Sequence, residues 1–258
     1  MKIIVLVKPV PDTYGERVLS LETGLADRAA SETVLDEITE RAVETAIRHA
    51  ESAGDAEVVV LSMAPTESQT TLRKALAMGA SAAVQVADER LAGADLGRTA
   101  EVLAAALKHT GFDLIMTGNG STDGNGSVMP SMLAELLELP AITRLETIEI
   151  TADAVRGTRA TDGGAMTVTA PLPAVVSVTE RMPDPRFPAL KGIMGAKKKP
   201  FEVLSLDDLG VEIDETAAPR SIMVAATQRP PREAGEIITD DGDAGERIAA
   251  FLADRRLA

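Results

Sequence analysis

The alternation of short apolar runs with amphipathic stretches constrains this chain more than any other feature. "KIIVLV" (2–7), "EVVVLS" (57–62), "AAVQV" (82–86) and "DLIMT" (113–117) are nearly continuous apolar segments. A strand buried on both faces reads this way, as in a parallel sheet covered by helices. Between the runs lie helical stripes. Ile38, Ala42, Val43, Ala46 and Ile47 share one face, Leu72, Ala75 and Leu76 mark a second helix that Gly79 ends, and Leu103, Ala106 and Leu107 mark a third, stopped by Gly111. Thr66 and Gln69 have the spacing of a capping box for the second helix. Strand and helix in this order predict an α/β, doubly wound, mostly parallel sheet with flanking helices.

After Pro140 the pattern changes. "AITRLETIEI", "AVRGTRAT" and "AMTVTAPLPAVVSVT" alternate apolar with polar residues, and "DGG" (162–164) supplies a turn. These stretches predict added antiparallel strands that extend or cap the sheet. From about Ala217 the chain becomes linker-like through "QRPPREAGE" (228–236) and finishes in "AGERIAAFLADRRLA", where Ile248, Phe251 and Leu252 give an apolar face. The expected division is therefore an α/β domain over 1–216 and an extended C-terminal arm over 217–258. That arm either folds back or clasps another chain.

Composition removes several function classes. There is no cysteine, which excludes disulfides, thiolate nucleophiles and Cys-type zinc sites on this chain. Aromatics make up 2% of the residues, with Tyr14 the single tyrosine, and the formal charge is −14. Base-stacking platforms and phosphate-neutralising patches are both missing, so no nucleic acid is expected. The acidity reads as a solvated surface or as a match for a cationic partner. "MKIIVLVKPVPD" is too short for a signal peptide, and no run approaches the roughly 18 apolar residues of a membrane span. A cytoplasmic protein without membrane insertion is the expectation.

The stretch "DLIMTGNGSTDGNGSVMP" (113–130) runs from an apolar strand through a glycine-rich loop into a helix. In an open α/β sheet, ligands sit beyond the carboxyl ends of the strands. Gly118, Gly120, Gly124 and Gly126 allow close backbone approach, with Asn119, Ser121, Thr122, Asn125 and Ser127 as neutral hydrogen-bonding groups. Val128, Met129, Met132, Leu133, Leu136 and Leu137 share the following helix face, and Pro130 suits its first turn. The helix start offers unpaired N–H groups and a partial positive charge, so a phosphate can be held there without a basic side chain. The spacing matches neither G-x-G-x-x-G, since Asp123 stands at the third glycine, nor G-x-x-x-x-G-K-[ST]. On pattern alone, a nucleotide site and an ordinary strand–helix turn both fit. Asp123 would repel a phosphate and suits ribose hydroxyls or backbone N–H groups instead. With no histidine, cysteine or lysine in the loop, a site that holds without reacting is the expectation.

"RMPDPRFPALKGIMGAKKKPFEVLSLDDLGVE" (181–212) concentrates Arg181, Arg186, Lys191, Lys197, Lys198 and Lys199 in an acidic chain, with Leu190, Ile193 and Met194 among them. It reads either as a solvated loop with a few core anchors or as a docking loop with an apolar anchor in a charged rim.

Taken in order, "VLVKPVPD", "LDEITERAVETAI", "LRKALAMGA", "DLIMTGNGSTDGNG" with "LAELLELP", "LPAVVSV", "DPRF" before "GIMGAKKKP", and "AGE" in the tail resemble the electron transfer flavoprotein beta subunit over essentially the whole chain. The resemblance implies a heterodimer with an alpha subunit that carries the redox-active FAD, while the beta chain buries a structural AMP. Carried over by position, AMP contacts fall on Leu6, on Asp36, Glu37, Ile38 and Thr39, on Met63, and on Gly118 through Met129. A recognition loop over 184–200 would dock flavin dehydrogenases such as acyl-CoA dehydrogenases, in fatty acid oxidation, through Leu190 and its neighbours. Electrons would then pass through the partner's FAD to a quinone oxidoreductase, with this chain acting as scaffold and not as an enzyme. The arm would embrace the alpha subunit, and Tyr14 either approaches the partner's flavin or is a plain surface residue. Two departures stand out: Val128 where many relatives have glutamine, and Gly195 where relatives often have lysine. Electron-bifurcating relatives hold a second FAD in place of AMP, but their recognition segments tend to lack the "AKKK" run, which favours AMP. A universal-stress-type adenine-nucleotide binder is the alternative from another class.

Overall fold

The computed structural model describes residues 1–212, 221–232, 234, 235, 237 and 239–257. Met1–Ala225 form one compact unit and Ala226–Ala258 a second. The boundary expected between 216 and 217 lies outside the described residues.

In chain order the elements are β1 (Lys2–Leu6), β2 (Pro9–Pro11), β3 (Thr33–Leu35), α1 (Glu37–Ala53), β4 (Glu57–Met63), α2 (Gln69–Met78), β5 (Ala82–Val86), α3 (Leu96–Thr110), β6 (Leu114–Gly118) and α4 (Met129–Leu137). There follow β7 (Ala141–Leu145), β8 (Thr147–Ile150), β9 (Ala154–Thr161), β10 (Gly164–Pro171), β11 (Ala174–Val178), α5 (Leu190–Ala196), β12 (Phe201–Leu204) and α6 (Ala244–Asp254). Seven strands form one sheet in the order β12-β5-β4-β1-β6-β11-β7, every pairing parallel. β8, β9 and β10 make a separate antiparallel sheet, and β2 and β3 a small antiparallel pair.

The apolar runs occupy the sheet interior because both faces are covered. Ile3 and Val5 pack toward α1, α2 and the small sheet, whereas Ile4 joins the cluster with α3 and α4. Each long helix begins and ends on an identifiable device. Asp36 caps α1, acidic Glu37 and Glu40 complement its positive end, and Gly54 stops it with φ of 81°. Asp95 caps α3 by accepting from the Arg98 N–H at 2.8 Å.

The parallel core and the antiparallel hairpin at 154–171 match expectation, but two segments do not. Ala141–Leu145 and Ala174–Val178 are parallel members of the main sheet, not antiparallel additions. All five residues of β11 are buried between two covered faces, and such a strand needs a continuous apolar run. "AVVSV" is one; the longer window around it alternates only because it includes β10. The expected capping box is also absent. Thr66–Ser68 form a 3₁₀ turn instead, and α2 starts at Gln69 with no side-chain cap. On α4, Pro130, Leu133 and Ala134 are buried, while Val128 and Leu136 stay about two-fifths exposed. β12 escaped prediction altogether: four residues are too few to set a period.

The lysine-rich segment is fastened to the rest of the domain by ion pairs and carbonyl contacts. Arg186 donates from Nε to Glu44 Oε2 at 2.8 Å and from Nη1 to Glu51 Oε1 at 2.6 Å. Arg41 reaches Asp184 at 2.6 Å, and Arg181 pairs with Glu146 at 3.0 Å. The Lys199 ammonium donates to the Leu76 and Ala80 carbonyls at 2.8 and 2.6 Å, closing the C-terminal end of α2, and burial lowers its pKa. The expected concentration of free positive charge is thus reduced mainly to Lys191, Lys197 and Lys198.

The Glu44 side chain is only 1% exposed. Burial raises its pKa, but hydrogen bonds from Arg186 and Arg48 outweigh that effect and hold it below the ordinary carboxylate value. A depressed carboxylate stabilises the fold above its unfolded pKa, and that stability is lost as pH falls through the folded value. Replacing Arg186→Met should therefore cost about 2 kcal/mol at pH 7, because Glu44 keeps only Arg48 as partner. Urea titrations of both proteins should show that difference shrinking toward pH 4; a difference constant with pH would mean that the loss is one of packing alone.

Candidate functional site

The strand order reverses at β1, with β4 on one side and β6 on the other, so the carboxyl ends of these strands flank a switch point. The chain after β6 forms the glycine-rich loop, and the start of α1 lies against it. A Cβ added at Gly118 would sit 3.0 Å from Ile38 Cγ2, so the end of β6 approaches α1 closely.

Asp36 joins these two elements. It is fully buried. Its Oδ1 accepts from the Ile38 and Thr39 N–H groups at 3.1 and 3.3 Å, and its Oδ2 from Thr122 N–H at 2.7 Å and Thr122 Oγ1 at 2.9 Å. One carboxylate therefore caps α1 and fixes the middle of the loop.

The far part of the loop is held by charge. Lys8 Nζ lies 2.8 Å from Asp123 Oδ1, and Arg28 Nη2 lies 3.1 Å from Asp123 Oδ2. Burial works to raise the Asp123 pKa, but hydrogen bonds from Lys8 and Ser121 and the charge of Lys8 overcome it and hold the carboxyl well below the usual range. The loop turns through left-handed conformations at Asn125 (φ 47°) and Ser127 (φ 55°). Non-glycine residues in that region concentrate at binding sites, where the surroundings over-determine them. Among the described residues, the N–H groups of Gly126, Ser127, Val128 and Met129 donate to no acceptor. Successive free N–H groups of this kind at a helix start make an anion-binding concavity.

Beside the loop lies a cleft of about 500 Å³. Of the expected site residues, Ile38, Asn119, Gly120, Ser121, Thr122 and Asn125 line it. Thr13, Arg17 and Glu180 complete the lining, and these the sequence reading did not single out. Asn119 Oδ1 is buried and has no hydrogen-bond partner. A buried acceptor of this kind needs a donor.

The remaining expected residues support the site without lining it. Asp36 and Thr39 are buried beneath the loop, and the Thr39 hydroxyl donates to the Asp36 carbonyl at 2.8 Å. Glu37 accepts from the Thr13 hydroxyl at 2.8 Å. Leu6 and Met63 pack with the α3–α4 side of the core. Asp123, expected to face a ribose or backbone N–H, does accept from the Gly124 N–H at 2.6 Å, but its main partners are Lys8 and Arg28. The loop itself has no cation, yet cations from the first 28 residues reach it. The signal in sequence was Lys8 just past β1; nothing in the spacing of Arg17 or Arg28 announces their direction.

The second expected site, Leu190, Ile193 and Met194, lies apart on α5, with exposures of 74%, 48% and 64%. A Cβ added at Gly192 would fall 2.4 Å from the Ala77 carbonyl oxygen, so this glycine is what lets α5 seat on α2. Arg73 Nη1 donates to the Ala196 carbonyl at 3.0 Å and fastens the helix's far end. The loop and α5 are thus two separate regions of the fold. Gly192→Val should unseat α5 and raise protease cleavage near residue 190 while leaving the parallel core folded; an unchanged cleavage pattern would show that α5 does not depend on this contact.

Comparison with known proteins agrees with this arrangement. Residues 23–209 match the family model described as "Electron transfer flavoprotein domain". The electron transfer flavoprotein subunit beta of Mycobacterium leprae is 45% identical over 262 residues, covering 99% of this chain and 98% of the relative. Those of Thermoanaerobacterium thermosaccharolyticum and Bacillus subtilis are 35% and 34% identical, covering 93% and 98% of this chain and 92% and 96% of the relatives. Coverage of this extent includes the glycine-rich loop, the lysine-rich segment and the C-terminal unit together, which the universal-stress-type alternative does not explain. The chain belongs to the electron transfer flavoprotein family, as a beta subunit.

Proposed function

We propose that this chain is the nucleotide-holding, partner-docking subunit of a heterodimeric electron transfer flavoprotein, with AMP in the cleft beside the glycine-rich loop. The observation that carries the reading is the pairing of an unsatisfied buried acceptor, Asn119 Oδ1, with four free N–H groups over Gly126–Met129. An adenine amino group or ribose hydroxyl would satisfy the first, and a phosphate the second. A cleft of about 500 Å³ also lies within the range of roughly 300–1,000 Å³ usual for small-molecule sites. No lysine, histidine or cysteine lines it, and the lining is mostly neutral hydrogen-bonding groups, which suits holding a nucleotide.

The alpha subunit's FAD supplies the electron-carrying chemistry when bound. This chain's residues contribute a scaffold through the parallel sheet and a docking surface through α5. Leu190, Ile193 and Met194 project from a helix already fixed on α2, so a dehydrogenase meets an ordered apolar anchor. Burying one leucine contributes about 1.5–3 kcal/mol, which suits a contact that forms and dissolves within a catalytic cycle. Flavin dehydrogenases of the acyl-CoA type are the proposed donors and a quinone oxidoreductase the proposed acceptor. Among the described residues, no helix is long and apolar enough to cross a membrane, so this chain would meet such an acceptor from the aqueous side.

The decisive experiment is mass spectrometry of the nucleotides released on denaturing the purified heterodimer. One AMP and one FAD per heterodimer are expected; two FAD and no AMP would place a working cofactor in this cleft and replace the reading with a bifurcating flavoprotein. For the docking surface, Leu190→Ala should weaken reduction by a partner dehydrogenase about tenfold in kcat/KM, with nucleotide content unchanged. Equal kcat/KM for the variant and the parent would remove α5 from the docking site.

A further inference from the structure

The segment after β2 doubles back before β3, joined across itself by a bridge between Leu19 and Ala26 and by the Ser20 N–H on the Leu25 carbonyl at 2.9 Å. This excursion is tied down at its base. Asp12 N–H donates to the Glu32 carbonyl at 2.9 Å, and Arg28 spans from the Pro9 carbonyl at 3.0 Å to Asp123 of the glycine-rich loop. It reaches the cleft through Thr13 and through Arg17, whose Nη1 donates to the Thr122 carbonyl.

Three cations reach the loop, but only one is left uncompensated. Lys8 and Arg28 share the Asp123 carboxylate. Arg17 pairs with no carboxylate among the described residues and is the only cation in the cleft lining. Its single carbonyl contact orients the guanidinium without neutralising it, and a guanidinium has five N–H donors. Glu180, on the same lining, makes no ion pair with it. A guanidinium without an ion pair, on a lining it shares with Gly120 and Ser121, whose N–H groups donate to no acceptor among the described residues, is a site for an anion that comes from outside.

We infer that Arg17 contacts the phosphate of the bound nucleotide and that the excursion carrying it closes over the cleft. The inference rests on the nucleotide reading above and adds to it a residue from outside the loop. Asp123 then has a definite part: it absorbs the charge of Lys8 and Arg28, fixes the base of the excursion, and leaves Arg17 as the cation the phosphate meets.

The test is calorimetric titration of nucleotide-free heterodimer with AMP and, separately, with adenosine. Arg17→Gln removes the charge while keeping a donor for the Thr122 carbonyl, and Arg17→Ala removes both. Both variants should bind AMP about ten- to a hundredfold more weakly and adenosine within twofold of the parent. The AMP affinity of the parent should fall more steeply with salt than that of either variant. If the variants lose AMP and adenosine equally, or lose neither, Arg17 has no phosphate contact and the inference is overturned. A parent heterodimer that binds neither compound would overturn the nucleotide reading itself, and a parent that binds both equally would sink the phosphate contact while leaving that reading intact.

Discussion

The site depends on a single buried carboxylate. Asp36 has no exposed surface, and an isolated carboxylate in that position would cost several kcal/mol. Four donors offset the cost, two from the start of α1 and two from Thr122. Neither element could move without leaving the charge short of partners. The loop is 86 residues from Asp36 in sequence, yet its middle is fixed as firmly as a helix cap. This also decides which N–H groups remain for a ligand. Thr122, Ile38 and Thr39 are already occupied, so the donors left for a ligand lie elsewhere on the loop, among them Gly126 to Met129.

Charge is distributed around the loop by the same logic. The chain is strongly acidic, with a formal charge of −14, and the loop contains no basic residue. Cations are imported instead from Lys8, Arg17 and Arg28, all within the first strand–excursion–strand segment. Asp123 lies in their midst and takes two of the three. In isolation this aspartate looks hostile to a phosphate; with its partners it is an anchor whose charge is already spent. At the other functional region the cations act in the opposite way. Arg186, Arg41 and Lys199 are absorbed into ion pairs and carbonyl contacts that seat the lysine-rich segment on α1 and α2. Positive charge there builds structure first and only secondarily forms a rim.

What the sequence discloses follows from the range of each interaction. β1, β4, β5 and β6 were legible because two-sided burial forces continuous apolar runs, and α1 and α3 because their apolar residues recur at helical spacing within long helices. β11 was misassigned for the opposite reason: "AVVSV" is itself continuous, but Pro171 and Pro173 sit between it and an alternating neighbour. β12 is edge-placed and short. At the site, the loop was visible from its glycines and its position after β6, as was the exposure of Leu190. The excursion's cations were not, because nothing local in "GERVLS" or "ADRAAS" says that Arg17 and Arg28 turn toward residues 95 or more positions away.

The two proposed regions share a design in which order is built in by the fold itself. Around the cleft, Asp36 and Asp123 complete their hydrogen bonds within the protein, so the free N–H groups and Asn119 Oδ1 are held in place before any ligand arrives. On α5, Gly192 and Arg73 fix the helix so that Leu190 is presented with little left to order. Pre-arranged sites lose less entropy on binding, which raises affinity at the cleft and speed at the docking surface. In the proposed function, a structural nucleotide would call for the first and a carrier that exchanges partners for the second. Because α5 rests on α2, and α2 flanks the same sheet whose far strand ends frame the cleft, one parallel core supports both without requiring that either sense the other.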